Sequence, residues 1–329
     1  MHTALCRGAV AAGLFCTTPA FSQAPSGAAT YPAKPLRLLV GFPAGGPADF
    51  FARNIAQQMT EIVGQQVIVE NRVGVSGMIA AEYLVRSAPA DGYVLYFAGT
   101  GVLAFAPNLY AKLPINVTKD LAPVTLAVTV PEMLVVHPSL PVKTTRELVA
   151  LAKARPGQII YGSTGNGGMP HLAVESLRVA AGIAFTHVPH KGAAPVVTDL
   201  IGGHVQLTIL DVPVLLPHVK SARMRALAVA TARRQAALPD VPTMTEAGYP
   251  SVRADNWYGV VVAAATPKDI TAKLHATLVK ALSAPVVKER LMAQGAETRS
   301  TTPEQFATFI REETVIWGKI IKAAGVRLE

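Results

Sequence analysis

Two glycine-rich stretches of the sequence combine residue types that bind anions. The first, GFPAGGPADF (residues 41–50), follows the apolar run LRLLV, and the second, GSTGNGG (162–168), follows QIIY. Each lies between a strand-like and a helix-like segment. Backbone N–H groups and the positive end of a helix dipole at such a junction favour a negatively charged ligand. The first stretch matches neither the P-loop signature nor the G-x-G-x-x-G dinucleotide fingerprint.

The two stretches are more informative together than apart. The first alone fits an anion site and a plain strand–helix turn equally well. The second adds the hydroxyls of Ser163 and Thr164. If each half of the protein contributes one turn, the turns face each other across an interdomain cleft, at the carboxyl ends of strands where open α/β sheets bind ligands. The pair therefore predicts an anion-binding cleft.

Two aspartates stand at predicted strand ends near this cleft. Asp49 and Asp211 are placed to pair with an ammonium group of a ligand. The alternatives are a helix cap for Asp49 and a solvated loop for Asp211, and both alternatives stay open. Two roles are also open for Trp257 and Tyr258: their rings can stack on a ligand or pack in the core.

Nucleophilic catalysis has one candidate, Ser163. The nucleophile elbow G-x-S-x-G fails here because Tyr161 occupies the first glycine position. No sequence pattern pairs the serine with a base. We therefore expect a protein that is not an enzyme. The alternative function is an exported hydrolase or esterase that uses Ser163 as nucleophile and His171, His187 or His190 as base.

Metal and thiol chemistry have weak support. His171 and Glu175 are spaced i, i+4 on one helix face, but no third ligand has a diagnostic spacing. Both cysteines, Cys6 and Cys16, lie in the N-terminal segment, so the mature chain would have no disulfide and no thiol nucleophile. We expect no metal and no cofactor, and we expect His171 to cap a helix or line the cleft.

The N-terminus has the features of a secretory signal peptide. Arg7 precedes a short apolar stretch, and Ala20-Phe21-Ser22 matches the small-x-small cleavage pattern. Such a segment would direct the protein to the periplasm, and cleavage after Ser22 would leave residues 23–329. The formal charge of +9 is spread along the chain, with Arg233-Arg234 the single adjacent basic pair. A nucleic-acid binder concentrates its basic residues, so nucleic acid is not an expected partner.

The rest of the chain alternates strand-like and helix-like segments. Residues 36–98 predict a βαβαβ unit with a mostly parallel sheet. A similar alternation follows, in which Thr144 is a predicted helix N-cap and Gly182 a predicted helix stop. Two long strand-like runs, 125–136 and 257–264, are candidates for crossings between two α/β halves. We predict one domain from 23–126 plus 250–329, with a second domain, 127–249, inserted into it.

Six motifs occur along the chain in a fixed order. They are PLRLLVGFPAGGPADFFAR, VIVENRVGVSG, APADGY, YGSTGNGGMPHLAVESL, VPHKGAAPVVTDLIGGHV and LPDVPTMTEAGYP. This ordered set resembles the Bug/TctC family, the periplasmic solute-binding proteins of tripartite tricarboxylate transporters, over essentially the whole mature chain. The resemblance implies an α/β, type II periplasmic-binding-protein fold: two α/β domains with mixed, mostly parallel sheets around a central ligand cleft.

The resemblance also implies a ligand and its partners. Family members hold a ligand carboxylate with backbone amides and hydroxyls of the two glycine-rich turns. Their ligands include acidic amino acids, di- and tricarboxylates and aromatic acids. The implied partners are integral-membrane transporter subunits or, for an orphan receptor, a sensor kinase, and the expected state is a monomer. The residues carried over are Phe42, Ala44, Gly45, Gly46, Asp49, Ser163, Thr164, Gly165, His171 and, more weakly, Asp211.

This sequence departs from the family pattern at two places. The common N-R-P-G-A-G-G is here residues 71–77, NRVGVSG, and the common V-P-Y-K-G is here residues 188–192, VPHKG. The first departure is expected to alter the loop beneath the cleft. The second places the imidazole of His190 where a phenol is usual.

Overall fold

The computed structural model describes residues 31–328, so the predicted signal peptide and its cleavage position lie outside the described part. Strands and helices alternate over this length, as the sequence predicts. The strands are β1 (Leu36–Val40), β2 (Val67–Asn71), β3 (Val94–Gly99), β4 (Leu121–Val136), β5 (Ile160–Ser163), β6 (Thr186–Pro189), β7 (Leu207–Asp211), β8 (Arg225–Val229), β9 (Asp255–Ala263) and β10 (Glu297–Thr298).

The helices pack on the faces of the sheet. A 3-10 turn (Val75–Gly77) precedes α2, and a π-helical turn (Gly101–Phe105) leads into α3. The helices are α1 (Pro47–Val63), α2 (Met78–Arg86), α3 (Ala106–Leu109), α4 (Val117–Asp120), α5 (Thr145–Ala154), α6 (Met169–Ala181), α7 (Ala193–Ile201), α8 (Val212–Lys220), α9 (Lys268–Ser283), α10 (Pro285–Ala293) and α11 (Pro303–Ala324). Within residues 31–328, no helix combines the length and the apolar character that a membrane crossing requires.

The strands form one mixed sheet. Its order is β2-β1-β3-β9-β4-β7-β5-β6, and both β8 and β10 also pair with β4. Pairing is parallel in the groups β2-β1-β3 and β7-β5-β6, and antiparallel wherever β4 or β9 takes part. The fold is α/β, and the parallel strands lie in two groups separated by the long antiparallel strands.

Strand β4 joins the two groups. Its first part, residues 121–131, pairs with β9, and its last five residues, 132–136, pair with β7. The long runs predicted from the sequence as crossings correspond to β4 and β9. The division into 23–126 plus 250–329 and 127–249 stays a prediction, and the change of pairing partner within β4 occurs five residues beyond its predicted boundary.

Local sequence signals explain why the elements begin and end where they do. The five residues of β1 are LRLLV, and its leucines and valine are fully buried. Thr144 accepts a hydrogen bond from the Glu147 amide at 3.1 Å and so caps α5 as predicted. Helix α6 ends at Gly182, which has the left-handed φ of 62° that glycine tolerates best.

Candidate functional site

Both glycine-rich turns open onto one cavity of about 380 Å³. The first turn connects β1 to α1, whose N-cap is Gly46, and the second connects β5 to α6, whose N-cap is Gly168. The N-termini of α7 and α8 reach the same cavity through Ala193 and Asp211. Four helices of nine residues or more therefore direct their positive ends toward one space.

The structure places half of the predicted site residues on the cavity wall and the other half outside it. Ala44 and Gly45 are exposed on the first turn, while the other three outside the wall are buried behind the turns. On the wall are Phe42, Gly46, Thr164, Gly165 and Asp211; outside it are Ala44, Gly45, Asp49, Ser163 and His171.

Asp49 organises the first turn from behind. Its Oδ2 accepts hydrogen bonds from the Gly45 amide at 2.9 Å and from Arg53 Nε at 2.8 Å. Its Oδ1 accepts from Asn71 Nδ2 at 2.9 Å, and this amide group also donates to the Phe42 carbonyl at 3.0 Å. Burial tends to raise the pKa of Asp49, but these donors outweigh burial and hold the pKa below its ordinary value. Asp49 does not cap α1, whose start has no side-chain cap hydrogen bond; its contacts hold the first turn and Arg53 instead.

The second turn is built on Ser163 and His171. Ser163 Oγ accepts a hydrogen bond from the Gly165 amide at 3.2 Å, and His171 Nδ1 accepts one from the Gly167 amide at 3.0 Å. Both side chains are buried. The amides of Thr164 and Asn166 have no hydrogen-bond partner among residues 31–328, and both residues line the cavity. These two amides are available as donors to a ligand.

A stack of rings supports this turn. The imidazoles of His171 and His187 are 4.2 Å apart with an interplanar angle of 4°, and the Tyr161 ring stacks against both, 4.6 Å from His187 and 6.3 Å from His171. Burial lowers the pKa of both histidines to about 4; the cation of Arg178 adds to this for His171, and the neighbouring His171 adds to it for His187. Both rings are therefore neutral at pH 7.

Ser163 and His187 form a contact that resembles a catalytic pair. Ser163 Oγ lies 2.6 Å from His187 Nε2. A neutral histidine at this distance is a competent base toward a hydroxyl. The Ser163 side chain is fully buried, however, and neither residue lies on the cavity wall. Within residues 31–328, no group of three or more His, Cys, Asp or Glu side chains is arranged to hold a metal ion.

Two carboxyl groups meet at the floor of the cavity. Glu132 in β4 is directly opposite Asp211 at the end of β7. Glu132 is completely buried, and its two carboxyl oxygens and Asp211 Oδ1 accept no hydrogen bond from any other described residue. The two carboxyl groups are hydrogen-bonded to each other. Burial raises the pKa of Asp211 to about 6. Burial, then the charges of Asp211 and Asp255, hold the pKa of Glu132 well above its usual range.

Sequence reasoning missed several residues of the wall. Glu132 was detectable as a single charge inside the apolar run VTVPEMLVV, a pattern that marks a buried ionisable group. Asn256 carries no such signal; its Oδ1 accepts from Thr100 Oγ1 at 3.3 Å, and its Nδ2 donates to Tyr258 Oη at 3.4 Å. Tyr258 packs in the core, where it stacks on Phe97 at 5.2 Å, and it also lines the cavity; its stacking on a ligand stays a prediction.

The two departures from the family pattern differ in their distance from the cavity. Ser76 lies on its wall, and the backbone there is strained, with φ of 45° at Val75 and 53° at Ser76. His190 is not part of the wall. Its Nε2 contacts Asp199 Oδ2 at 2.7 Å and its Nδ1 lies 3.1 Å from the Val188 carbonyl. The first departure changes the cavity itself, and the second changes a contact between the end of β6 and α7.

Comparison with known proteins agrees with this geometry. A family model described as "Tripartite tricarboxylate transporter family receptor" matches residues 51–326. Protein BugT from Bordetella pertussis is 36% identical over 318 residues, which cover 96% of this chain and 97% of that protein.

Two solved structures are similar over nearly their whole length. Rpa4515 of R. palustris with adipate has a TM-score of 0.81 and 34% sequence identity, and the match covers 90% of this chain and 99% of that one. MatC from Rhodopseudomonas palustris with bound malate has a TM-score of 0.77 and 28% identity, and covers 88% and 100%. With its fold, its two glycine-rich turns and these matches, the chain belongs to the family of receptors of tripartite tricarboxylate transporters.

Proposed function

We propose that this protein is a periplasmic solute receptor that binds one small carboxylate in the cavity between its two glycine-rich turns. The observation that carries the proposal is the convergence of Gly46 and Gly168, two helix N-caps without side-chain cap hydrogen bonds, on a single cavity. The N–H groups at these helix starts and the amides of Thr164 and Asn166 are suited to the oxygens of a carboxylate. The adipate and malate in the two similar structures are ligands of the same chemical class.

Binding is expected to be coupled to closure of the cleft. The two turns belong to different groups of parallel strands, so a carboxylate that contacts both turns favours a closed arrangement over an open one. A ligand shifts such an equilibrium only by its difference in affinity for the two states. We propose that the domains 23–126 plus 250–329 and 127–249 are the bodies that close.

The proposed partners follow from the family. The protein is exported through its predicted signal peptide and works as a monomer. It delivers its ligand to integral-membrane transporter subunits or, as an orphan receptor, presents it to a sensor kinase. The ligand class is a di- or tricarboxylate, an acidic amino acid or an aromatic acid.

We propose that the protein has no enzymatic activity. The rival function, a hydrolase, rests on the 2.6 Å contact between Ser163 and His187. This serine is buried and does not line the cavity, which argues against a hydrolase, because a nucleophile must reach its substrate. In the proposed receptor the same contact holds the second turn in shape.

The test is a binding screen of residues 23–329 after unfolding and refolding, which removes any ligand retained during purification. The panel contains amino acids, di- and tricarboxylates and aromatic carboxylates, with neutral sugars as controls. A ligand at about 100 times its dissociation constant adds roughly 2.7 kcal/mol to the free energy of unfolding. Stabilisation by one group of carboxylates, without turnover of the ligand, supports the proposal. Stabilisation by sugars alone would contradict it.

A variant separates the receptor from the hydrolase. Ser163→Ala is expected to weaken carboxylate binding because it removes a support of the second turn. In a hydrolase, the same substitution would abolish ester hydrolysis by the wild-type protein. Hydrolysis of model esters that is lost in Ser163→Ala would therefore establish the rival function.

A further inference from the structure

The floor of the cavity holds a feature that carboxylate recognition does not require. Glu132 and Asp211, here called the acid pair, lie on adjacent antiparallel strands and both line the cavity. Glu132 is completely buried, and three of the four carboxyl oxygens of the pair accept no hydrogen bond from any other residue within 31–328. Buried polar groups in native proteins are nearly always paired, because an unpaired one keeps its full desolvation cost.

The cavity wall supplies no cation to the acid pair. Among the described residues that line the cavity, none is Lys, Arg or His. The two carboxyl groups are hydrogen-bonded to each other, and Asn256 donates a hydrogen bond to Asp211. A buried carboxyl pair without a cation keeps a proton instead, in line with the raised pKa of both Glu132 and Asp211. A bound ligand is therefore the remaining source of a cation.

The charge distribution of the cavity indicates which donor fits. The helix N-termini and free amides at the two turns favour an anion, whereas the acid pair at the floor favours a cation. A dicarboxylate that fills the cavity would set its second carboxylate against two acidic groups. A ligand with a carboxylate at one end and an ammonium group at the other matches both.

We propose that the ligand of this protein is a carboxylate that also carries a protonated amine, and that Glu132 and Asp211 form the subsite for this amine. The inference rests on the proposed function, because the turns must hold the carboxylate. It narrows the ligand class to aminocarboxylates.

The test uses ligands matched in skeleton that differ only at the end remote from the carboxylate. One set is hexanoate, adipate and 6-aminohexanoate, with the corresponding five- and four-carbon sets. An aromatic set is 4-methylbenzoate, terephthalate and 4-(aminomethyl)benzoate. Titration calorimetry on the refolded protein is expected to give the aminocarboxylate a dissociation constant about 10-fold or more below those of the matched monocarboxylate and dicarboxylate. The reason is that hydrogen bonds to charged groups are stronger than those between neutral groups.

Proton exchange gives an independent readout. Calorimetry in two buffers of different ionisation enthalpy counts the protons released or taken up on binding. An ammonium group displaces a proton from the acid pair, so aminocarboxylate binding at pH 6 is expected to release protons and to tighten as the pH rises. The ionisable groups that face the pair are Asp255, whose pKa burial raises to about 6, and Tyr258, whose pKa burial raises so far that it stays neutral. Asp255→Asn shows how much of the pH dependence comes from Asp255.

Variants of the pair complete the test. Glu132→Gln and Asp211→Asn are each expected to remove most of the preference for the aminocarboxylate, while Glu289→Gln, at an exposed position of α10, retains it. If one acid-pair variant fails to fold, the other variant and the ligand comparison on the wild-type protein still test whether the acid pair binds the amine. Equal or tighter binding of the dicarboxylate, with proton uptake, would overturn the inference and leave the proposed function intact. Failure of every carboxylate to bind would overturn both.

Discussion

Gly46 and Gly168 start their helices in nearly identical backbone conformations. Their φ/ψ angles are −79°/171° and −76°/166°, and both residues line the same cavity. A helix N-cap is usually Ser, Thr, Asp or Asn, whose side chain accepts a hydrogen bond from the first amides of the helix. Neither glycine can do so. Pro47 and Pro170 have no N–H, so the amides of Ala48 and Met169, which both line the cavity, are the ones that stay available to a ligand.

Gly46→Asp should weaken ligand binding without harming the fold. The negative φ permits a side chain, and the nearest atom to an added Cβ is the Pro43 carbonyl oxygen at 3.4 Å. The aspartate would cap α1 and place its own carboxylate where the ligand carboxylate binds. We expect carboxylate affinity to fall about 10-fold or more and the stability of the free protein to be unchanged or to rise by a few tenths of a kcal/mol.

Gly46→Asn is the matched control, since it caps the helix without a charge. It is expected to lose less affinity than Gly46→Asp in the same calorimetric titration. Equal affinity in wild type and Gly46→Asp would show that the carboxylate binds elsewhere.

Much of the fold could be predicted because its signals are local. The apolar run of β1, the glycine turn after it and the apolar face of α1 are all contained in 28 consecutive residues, 36–63. The cap at Thr144 and the stop at Gly182 are equally local. Predictions of this kind need only the periods of strand and helix and the conformational needs of a few turn residues.

The site could be predicted only in part because its remaining residues meet through long-range pairing. Glu132 and Asp211 are 79 positions apart and are brought together by the register of β4 and β7. Gly41 packs against Gly77, the residue after the strained Val75 and Ser76, so closely that a Cβ on Gly41 would lie 2.5 Å from Gly77 Cα. No spacing in the sequence encodes either relationship.

Asp49→Ala is expected to destabilise the protein by about 2 kcal/mol, because hydrogen bonds to a buried carboxylate are among the stronger ones. The hydrogen bonds that hold the pKa of Asp49 below its ordinary value make its contribution fully present at neutral pH. That contribution is lost as the pH falls below the ordinary aspartate range. Urea unfolding should therefore show a difference between wild type and variant at pH 7 that narrows in acid.

The control is Glu61→Ala, at an exposed position of the same helix, where a change below about 0.5 kcal/mol is expected. An Asp49→Ala variant as stable as the control would contradict the structural role of Asp49.

Ser76→Gly and Ser76→Ala separate backbone strain from the hydroxyl group. Both remove the Oγ from the cavity wall, but only glycine relieves the φ of 53°. The glycine variant should be more stable than the alanine variant by roughly 1 kcal/mol, measured by thermal unfolding. A change in ligand affinity that is common to both variants measures the contribution of the Ser76 hydroxyl to ligand binding. Equal stability of the two would mean that position 76 is unstrained.

His187→Gln should reduce the loss of folding stability that occurs as the pH falls. Burial lowers the pKa of His187 to about 4 in the folded state, against about 6.5 in the unfolded chain. The unfolded chain then binds more protons between these values, so stability is full above pH 6.5 and lost as the pH falls toward 4. The melting temperature of the variant should fall less steeply over this range. His204→Gln, at an exposed position beyond α7, should keep the wild-type slope.

Glu132→Gln should have the opposite pH signature. The folded-state pKa of Glu132 is raised, so the folded protein binds more protons than the unfolded chain above about pH 4.3. Stability from this group is lost as the pH rises through the folded pKa, and the same holds for Asp211, whose pKa is about 6. Glutamine mimics the protonated acid and carries no such penalty.

The free proteins should thus be equally stable near pH 4.5, and the variant should become more stable than wild type as the pH rises to 8. A gain of 1 kcal/mol corresponds to roughly 2–4 °C in the melting temperature of a protein of about this size. Glu289→Gln should follow wild type at both pH values. If wild type and Glu132→Gln melt together at pH 8, the carboxyl group of Glu132 already has a partner in the free protein, and a ligand amine would no longer be needed to explain its burial.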